Sequence, residues 1–213
     1  EPSLEVEGVI AQNGTFVLGI SSGKVGTFMR LRGKGFDKND LVTLKIGAVS
    51  INIDQQIISN KDGEFTADIK IPRIVGGTKK ITATGTNGDV ASTTFTITAQ
   101  LLSINGVSIT PVGFTPVDVQ VDDVVSIVGD GFLSTQTISF EVGISGQGSL
   151  RNTGMRSAET DGFLETTFTV PAMSYGPKVV RLTTSAPSSQ INIVGIRVVG
   201  RIKPDGISNR RSG

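Results

Sequence analysis

The sequence contains no cysteine, no histidine and no tryptophan, and it has a single tyrosine among its 213 residues. Without cysteine there is no disulfide, so the redox state of the protein's compartment cannot be read from the chain. Without histidine and cysteine there is no Ser-His-Asp triad, no cysteine nucleophile and none of the usual zinc ligand sets. The few aromatic residues also weigh against platforms that stack sugars or bases. Carboxylate chemistry is the catalytic option that remains.

The chain also lacks a large net charge and long apolar runs. The net charge is +1 and 18% of the residues are charged, so no global field would attract nucleic acid. No window has the length of a transmembrane helix. No charged and then apolar signal peptide opens the sequence, and its first residue is Glu1 rather than methionine. We therefore expect a processed or trimmed product.

Glycine is abundant, with 27 residues, and together with many serines and threonines it is typical of an all-β protein with many turns. The chain also repeats itself, because Gly131 follows Gly35 by 96 residues and Gly162 follows Gly63 by 99. These offsets predict two copies of one domain. The matched segments are Arg32-Gly33-Lys34-Gly35-Phe36 with Val128-Gly129-Asp130-Gly131-Phe132, Asp62-Gly63 with Asp161-Gly162, Ile71-Pro72 with Val170-Pro171, and Gly77 with Gly176.

Apolar and polar side chains alternate in short segments, which is the pattern of half-buried strands. In Phe65–Ile71, for example, every odd-numbered residue is apolar. Asp-Gly pairs indicate tight hairpins between such segments, and proline after Ile71 and Val170 ends two of them. We predict an all-β protein made of two tandem immunoglobulin-like antiparallel β-sandwiches with about seven strands each. The predicted units are residues 1–98, residues 99–200 and a basic C-terminal tail, residues 201–213.

The succession of elements resembles the immunoglobulin-like domains of the IPT/TIG type that recur in bacterial and archaeal cell-surface proteins. In each copy an apolar strand precedes GxGF, and an Asp-Gly hairpin, a strand ending in Ile-Pro or Val-Pro and a TFTIT-like strand follow. The resemblance covers nearly all of residues 1–200 and implies a stalk, an adhesin segment, an S-layer piece or a filament subunit. The second copy departs from the pattern at Gly143–Arg156, where we expect an extended Gly/Ser-rich loop. The junction Thr98-Ala99-Gln100 has no flexible linker, which predicts a restricted angle between the copies.

The GxGF motif has two interpretations. A phosphate-binding loop needs a helix N-terminus after the glycines, whereas a strand follows in this sequence. We therefore expect a bulge at the end of a strand. There glycine adopts backbone angles that other residues resist, and Phe36 or Phe132 fills the end of the sandwich.

The densest carboxylate groups are two acidic pairs, Asp37 with Asp40 and Asp122 with Asp123. Neighbouring residues of a strand point to opposite faces, so Asp122 and Asp123 are poorly placed to face each other across a substrate. Solvated turns are the simpler explanation of both pairs. The alternative is a calcium site, because oxygen ligands from Asp122, Asp123 and Asp130 would suit this ion. We expect no other cofactor.

Two further candidates lie near the ends of the chain. Asn13-Gly14-Thr15 is an N-glycosylation sequon that would modify Asn13, although so short a pattern also arises by chance. The tail could dock on the acidic remainder of a neighbouring subunit, and a disordered terminus is the alternative. Its basic residues are Arg201, Lys203, Arg210 and Arg211.

From these features we predict a non-catalytic structural subunit of an extracellular or cell-surface assembly, either a surface filament, a pilus-like fibre or an S-layer. Its partners would be other copies of itself, joined by sandwich contacts and strand donation at exposed edges. Cell-surface glycans or envelope proteins are further partners, with no nucleic acid and no membrane span. The alternative is an adhesin or carbohydrate-binding module that uses Gly143–Arg156 and Tyr175. An enzyme based on the paired aspartates is the third hypothesis.

Overall fold

The computed structural model describes residues 1–11, 13–51, 55–110, 115–144, 150–186 and 191–200. These residues form strands, turns and irregular connections, with no helix among them. None of the residues in these ranges therefore belongs to a helix that is long and apolar enough to cross a membrane. The strands make two pairs of sheets, and each pair encloses its own core. The prediction of two tandem immunoglobulin-like β-sandwiches is confirmed.

The first sandwich packs a sheet of order β2-β1-β4-β8 against a sheet of order β3-β10-β9-β5-β6, and β7 also pairs with β5. Its strands are β1 (Ser3–Ile10), β2 (Phe16–Leu18), β3 (Ser22–Gly23), β4 (Phe28–Lys34), β5 (Leu41–Ile46), β6 (Val49–Ser50), β7 (Ile57–Ile58), β8 (Phe65–Lys70), β9 (Gly77–Gly85) and β10 (Val90–Ile97).

The second sandwich packs a sheet of order β12-β11-β14-β17 against a sheet of order β13-β19-β18-β15-β16. Its strands are β11 (Gln100–Ile104), β12 (Val107–Ser108), β13 (Val117–Val119), β14 (Val124–Asp130), β15 (Thr137–Gly143), β16 (Arg151–Ser157), β17 (Leu164–Thr169), β18 (Gly176–Thr184) and β19 (Ile191–Val198).

The pairing within the two sandwiches is antiparallel with one parallel pair in each. The parallel pairs are β3 with β10 and β13 with β19, so in both copies a short early strand runs alongside the last strand. The remaining pairs among the described strands are antiparallel, as short hairpin connections require. The two copies thus share their topology as well as their motifs.

Each core consists of the alternating apolar residues that the sequence pattern indicates. In β8 the side chains of Phe65, Ala67 and Ile69 are buried and those between them are exposed. A shift of one residue in this strand would turn its apolar face to solvent, so the hydrophobic pattern fixes the register. The bulkiest fully buried side chains, from both sandwiches, are Phe95, Phe132, Phe140, Met29, Leu31, Ile46, Ile69, Ile71, Ile81, Ile97, Ile104 and Ile127.

The sandwiches differ most at one edge of the larger sheet. In the first, β5 is flanked by β6 and β7, which have two residues each. In the second, the seven-residue β16 pairs with β15 from Thr137 to Val142, with a register shift between Phe140 and Glu141. The prediction of an extended loop over Gly143–Arg156 is therefore wrong for residues 151–156, which belong to β16. The pairing with β15 forms this strand, although its own sequence has no apolar alternation to reveal it.

Candidate functional site

The GxGF motif ends a strand in both copies, as predicted. Gly35 and Gly131 have φ of 75° and 71°, in the left-handed region that favours glycine. Phe36 and Phe132 are 5% and 0% exposed and belong to the two cores. Each phenylalanine N–H donates to the carbonyl of the Asp-Gly hairpin glycine at 3.1 Å, which joins the two motifs in space. The structural interpretation of GxGF is confirmed.

The second GxGF motif also forms part of the joint between the sandwiches. The N–H of Gly76, in the loop after β8, donates to the carbonyl oxygen of Phe132 at 2.8 Å. The side-chain Nε2 of Gln100 donates to the carbonyl oxygen of Val25 at 3.0 Å. The connection is therefore held by one main-chain and one side-chain hydrogen bond, in keeping with its lack of a flexible linker.

Arg73 reaches across this joint from the first sandwich. Its Nη2 lies 3.5 Å from Oδ2 of Asp161, and its guanidinium carbon lies 3.9 Å from the centre of the Phe163 ring. Both partners sit on the Asp-Gly hairpin of the second sandwich. A guanidinium over an aromatic ring is stabilised by the ring quadrupole, and a partly exposed ion pair adds a smaller contribution.

Gly76 makes the close approach of the two sandwiches possible. A Cβ atom on residue 76 would lie 2.0 Å from the carbonyl oxygen of Gly131. This distance is far below van der Waals contact, and the atom it would meet is backbone rather than a flexible side chain. The corresponding residue of the second copy is Tyr175, which is 70% exposed. The pairing Gly76-Gly77 against Tyr175-Gly176 is the sequence signal that could have located the joint.

Asp130 is the buried carboxyl group of the joint. It ends β14, pairs in register with Gln100 and is 5% exposed, and its Oδ1 has no hydrogen-bond partner among the described residues. Burial raises the pKa of Asp130 above its ordinary value, while a hydrogen bond with Gln100 and the charge of Arg73 act in the opposite direction. Desolvation disfavours the charged form of a carboxyl, which explains the sign of the shift.

The three aspartates of the predicted calcium site are not brought together. Asp122 and Asp123 lie in the turn before β14, where Oδ2 of Asp123 accepts from the N–H of Gln120 at 2.7 Å. Asp130 lies at the far end of that strand, roughly 20 Å away for an extended chain. Among the described residues no three acidic side chains are grouped so that they could hold a metal ion. The calcium hypothesis has no geometric support.

The other acidic pair stabilises turns. Asp40 is 3% exposed, and its carboxylate accepts a hydrogen bond from the Thr86 hydroxyl and one from the N–H of Asn87 at 3.4 Å. The hydrogen bond from Thr86 is the main reason that the pKa of Asp40 is lowered. The N–H of Asp37 donates to Oδ2 of Asp89 at 2.7 Å. Asp40 therefore points at turn hydroxyl and amide donors, not at a facing carboxylate.

The remaining predicted residues are widely separated. Asn13 is exposed in the β1–β2 connection, and its Oδ1 accepts from the N–H of Thr15 at 3.0 Å, so its glycosylation stays a prediction. Tyr175 is exposed in the loop before β18. The basic tail residues, Arg201, Lys203, Arg210 and Arg211, lie outside the described residues.

Comparisons with solved structures find only distant similarity. The chain is similar to the tetra-tandem repeat in the extending region of a large adhesion protein (14% identity, 92% of this chain, 48% of that chain, TM-score 0.39). It is also similar to the Yersinia pseudotuberculosis adhesin InvE (10% identity, 93% of this chain, 58% of that chain, TM-score 0.36). A third similar structure is the gamma-CGTase of alkalophilic Bacillus clarkii (13% identity, 84% of this chain, 24% of that chain, TM-score 0.30). It thus spans about half or less of their lengths. No protein-family model and no curated protein sequence matches the chain.

Proposed function

We propose that the chain is a non-catalytic structural element of an extracellular or cell-surface assembly, in which two sandwiches act as one stiff unit. The observation that carries this proposal is the joint between them. A main-chain hydrogen bond, a buried glutamine bridge and the Arg73 contact all cross it. A hydrogen-bonded junction holds the relative orientation of the sandwiches, which suits a spacer or a building block.

The residues available for chemistry support the same proposal. The sequence has no histidine or cysteine, and the densest acidic pairs serve turns. The larger sheet of the first sandwich instead exposes threonine side chains on its outer face, among them Thr78 and Thr94. On the outer face of the first sandwich, for example, the hydroxyl oxygens of Thr78 and Thr96 lie 3.1 Å apart. Such surfaces favour recognition by contact rather than catalysis.

The residues of the second sandwich that match Arg73 and Gly76 restrict how copies could meet. The end of the second sandwich has Ala172 and Tyr175 at the positions of Arg73 and Gly76. Because a side chain at position 76 would collide with the backbone of Gly131, Tyr175 is incompatible with a repeat of the internal joint. Assembly would therefore use strand edges or sheet faces, not a head-to-tail copy of the joint.

Electron microscopy and sedimentation velocity of the purified protein test the proposal. We expect regular fibres or sheets, or a sedimentation coefficient that rises with concentration. A chain that ends at Val199 separates the contribution of the basic tail from that of the sandwiches. Monomers at all concentrations up to about 1 mM, the weak limit of specific association, would contradict self-assembly.

Carbohydrate binding by a surface adhesin is the alternative, and the exposure of Tyr175 is the observation that favours it. A tyrosine ring can carry a sugar face, and the residue lies on a loop at the free end of the second sandwich. A glycan array with wild type and Tyr175→Ala would show a signal that the substitution removes. A signal that is equal in both proteins would exclude Tyr175 as the platform.

A further inference from the structure

Asp130 carries a buried carboxyl group that the contacts of the joint leave partly unsatisfied. The residue ends β14 and is 5% exposed. Within the described ranges, its Oδ1 is the buried side-chain oxygen or nitrogen that has no hydrogen-bond partner. Removal of a charge from water is costly unless other polar groups replace the lost water. The site therefore favours the neutral carboxylic acid over the carboxylate.

The β-sandwich fold does not require a carboxyl group at this position. The matching residue of the first sandwich is Lys34, which also ends its strand and is exposed. The next residue, Gly35 or Gly131, has a positive φ in both copies, so the backbone is the same while the side chain differs. The buried carboxyl group is therefore a feature of the joint and not of the sandwich.

Two side chains connect Asp130 to the first sandwich. The side chain of Gln100 forms a hydrogen bond with Asp130, and its Nε2 also donates to the carbonyl oxygen of Val25 at 3.0 Å. Arg73, in the loop after β8, is close enough for its charge to act on the carboxyl group. Burial raises the pKa of Asp130 and outweighs Gln100 and Arg73, which act in the opposite direction.

Arg73 compensates a charge on Asp130 only in part, because it is engaged elsewhere. Its Nη2 lies 3.5 Å from Oδ2 of Asp161, and its guanidinium carbon lies 3.9 Å from the centre of the Phe163 ring. The side chains of Arg73 and Asp161 are 52% and 54% exposed, so water screens this pair. A charged Asp130 would therefore share a cation that already has two partners.

The other charged groups on the elements around Asp130 do not compensate it. Lys79 on β9 donates from Nζ to the carbonyl oxygen of Gly76 at 2.9 Å. Lys24, in the loop after β3, and Glu165, on β17, are exposed. None of these three charged groups contributes to the pKa shift of Asp130. Hydration of a charged Asp130 therefore requires water to enter the joint.

We propose that Asp130 is a pH-dependent switch of the joint, which fixes the relative orientation of the sandwiches when it is neutral and loosens the joint when it is charged. Water that reaches the carboxylate would compete with the hydrogen bonds from Gln100 to Val25 and from Gly76 to Phe132. The proposal rests on the proposed role as a stiff unit and names what would regulate the stiffness.

The direction of the switch follows from the burial of Asp130. Because burial raises the pKa in the folded protein, the closed joint holds the proton more tightly than an open joint does. The fixed orientation is therefore favoured most below the ordinary aspartate pKa, and it is lost as pH rises through the raised one. Protonation of Asp161 would weaken its pair with Arg73 and would act with the opposite sign.

The test measures residual dipolar couplings of the full chain, at a concentration where sedimentation velocity shows monomers. The pH is varied from about 3 to 8, which includes the ordinary aspartate pKa and a raised one. We expect a single alignment tensor to fit both sandwiches at the acidic end, and two tensors of different magnitude at the other end. The ¹³C shift of Asp130 Cγ, followed in the same samples, should have the same midpoint as this change.

Three variants separate the carboxyl group from other effects of pH. Asp130→Asn is neutral at every pH, so a single tensor should fit it throughout. Arg73→Gln removes the positive charge that favours the carboxylate, so the midpoint of the Asp130 Cγ titration should move to higher pH. Glu165→Gln is the matched control, because it makes the same chemical change at an exposed position of the neighbouring strand, and we expect it to behave as wild type.

Four results would overturn the switch. They are a single tensor for wild type at every pH, the same pH dependence in Asp130→Asn, loosening as the pH falls, or different midpoints for the orientation and for Asp130 Cγ. The comparison of midpoints needs only wild type, so it decides even where a variant does not fold. A single tensor at every pH would leave the stiff unit intact, whereas two tensors at every pH would contradict the stiff unit as well.

Discussion

The two sandwiches present the same GxGF backbone to different surroundings. In the first, Gly35 lies beneath the chain start, where a Cβ atom would come within 2.7 Å of the carbonyl oxygen of Glu1. In the second, Gly131 lies beneath the junction, where a Cβ atom would be 2.7 Å from the carbonyl oxygen of Thr98. The second motif contacts the first sandwich, because the carbonyl oxygen of Phe132 accepts a hydrogen bond from the N–H of Gly76.

The two copies have the same residues where the fold of each sandwich requires them. They have different residues where one sandwich contacts the other. The glycines with positive φ and the core phenylalanines are shared. The residues around the joint are not shared, and each difference has a contact or an exposed side chain behind it. The divergent pairs, first copy before second, are Lys34 and Asp130, Glu64 and Phe163, Arg73 and Ala172, and Gly76 and Tyr175.

A substitution that disrupts the joint at Gly76 should cause the largest loss of stability. Gly76→Ala places a methyl group against the carbonyl of Gly131, and we expect a loss of about 1–3 kcal/mol of stability, as for overpacking. Tyr175→Ala, at the equivalent exposed position, should change stability by less than about 0.5 kcal/mol. Thermal unfolding measures both, and small-angle X-ray scattering should show a wider spread of interdomain orientations for Gly76→Ala. Identical scattering of this variant and wild type would show that the joint tolerates the methyl group.

The buried carboxyl of Asp130 should make the stability of the second sandwich and its joint sensitive to pH. Because the folded pKa of Asp130 is raised by burial, the folded state holds its proton more tightly than the unfolded chain does. The stabilising contribution is therefore present in full below the ordinary aspartate pKa and is lost as pH rises through the raised one.

Asp130→Asn isolates this contribution. The quantity to follow is the free energy of unfolding of wild type minus that of the variant. It should fall as pH rises through the raised pKa of Asp130, and it should be constant at higher pH. The pKa values of Asp40, Asp68 and Asp118 are lowered by their hydrogen bonds to Thr86, Arg30 and Arg197. These groups act with the opposite sign, but they cancel in the difference. A pH-independent difference would contradict the prediction.

We expect the smallest effect on stability from the surface ion pairs, of which each sandwich provides one for comparison. Arg30 and Asp68 are 34% and 39% exposed, and the guanidinium carbon of Arg30 lies 4.8 Å from the centre of the Phe16 ring. Arg197 and Asp118 are more exposed, at 58% and 47%. Double-mutant cycles should give about 0.2–1 kcal/mol for Arg30 with Asp68 and a smaller coupling for Arg197 with Asp118. A larger coupling for Arg197 and Asp118 would mean that exposure does not set the order.

The sequence was sufficient to predict the fold because two independent patterns agree in it. Alternation in segments such as Phe65–Ile71 indicates the buried face, and the repeated motifs indicate the copy number. The strand Arg151–Ser157 was missed because it is exposed at an edge, where pairing with β15 rather than burial holds it. The sequence of such a strand shows no alternation of apolar and polar residues from which it could be predicted.

A restricted junction was predictable from the missing linker, but the individual contacts of the joint were not, because their residues are ordinary when read one by one. Arg73 and Phe163 lie on different copies, and nothing in their local sequence says that a ring and a guanidinium will meet. The calcium hypothesis failed for a related reason. Asp123 and Asp130 are close in sequence, but an extended strand separates them and only Asp130 lies at the joint.

The parallel pairs of β3 with β10 and of β13 with β19 have a consequence for a chain under tension. Once the strands that precede β3 or β13 have detached, a pull on the two ends of a sandwich drives this early strand and the last strand in opposite directions along their shared axis. The hydrogen bonds between them are then loaded together in shear instead of being peeled apart one at a time. With three paired residues in the second sandwich and two in the first, the first should yield at the lower force.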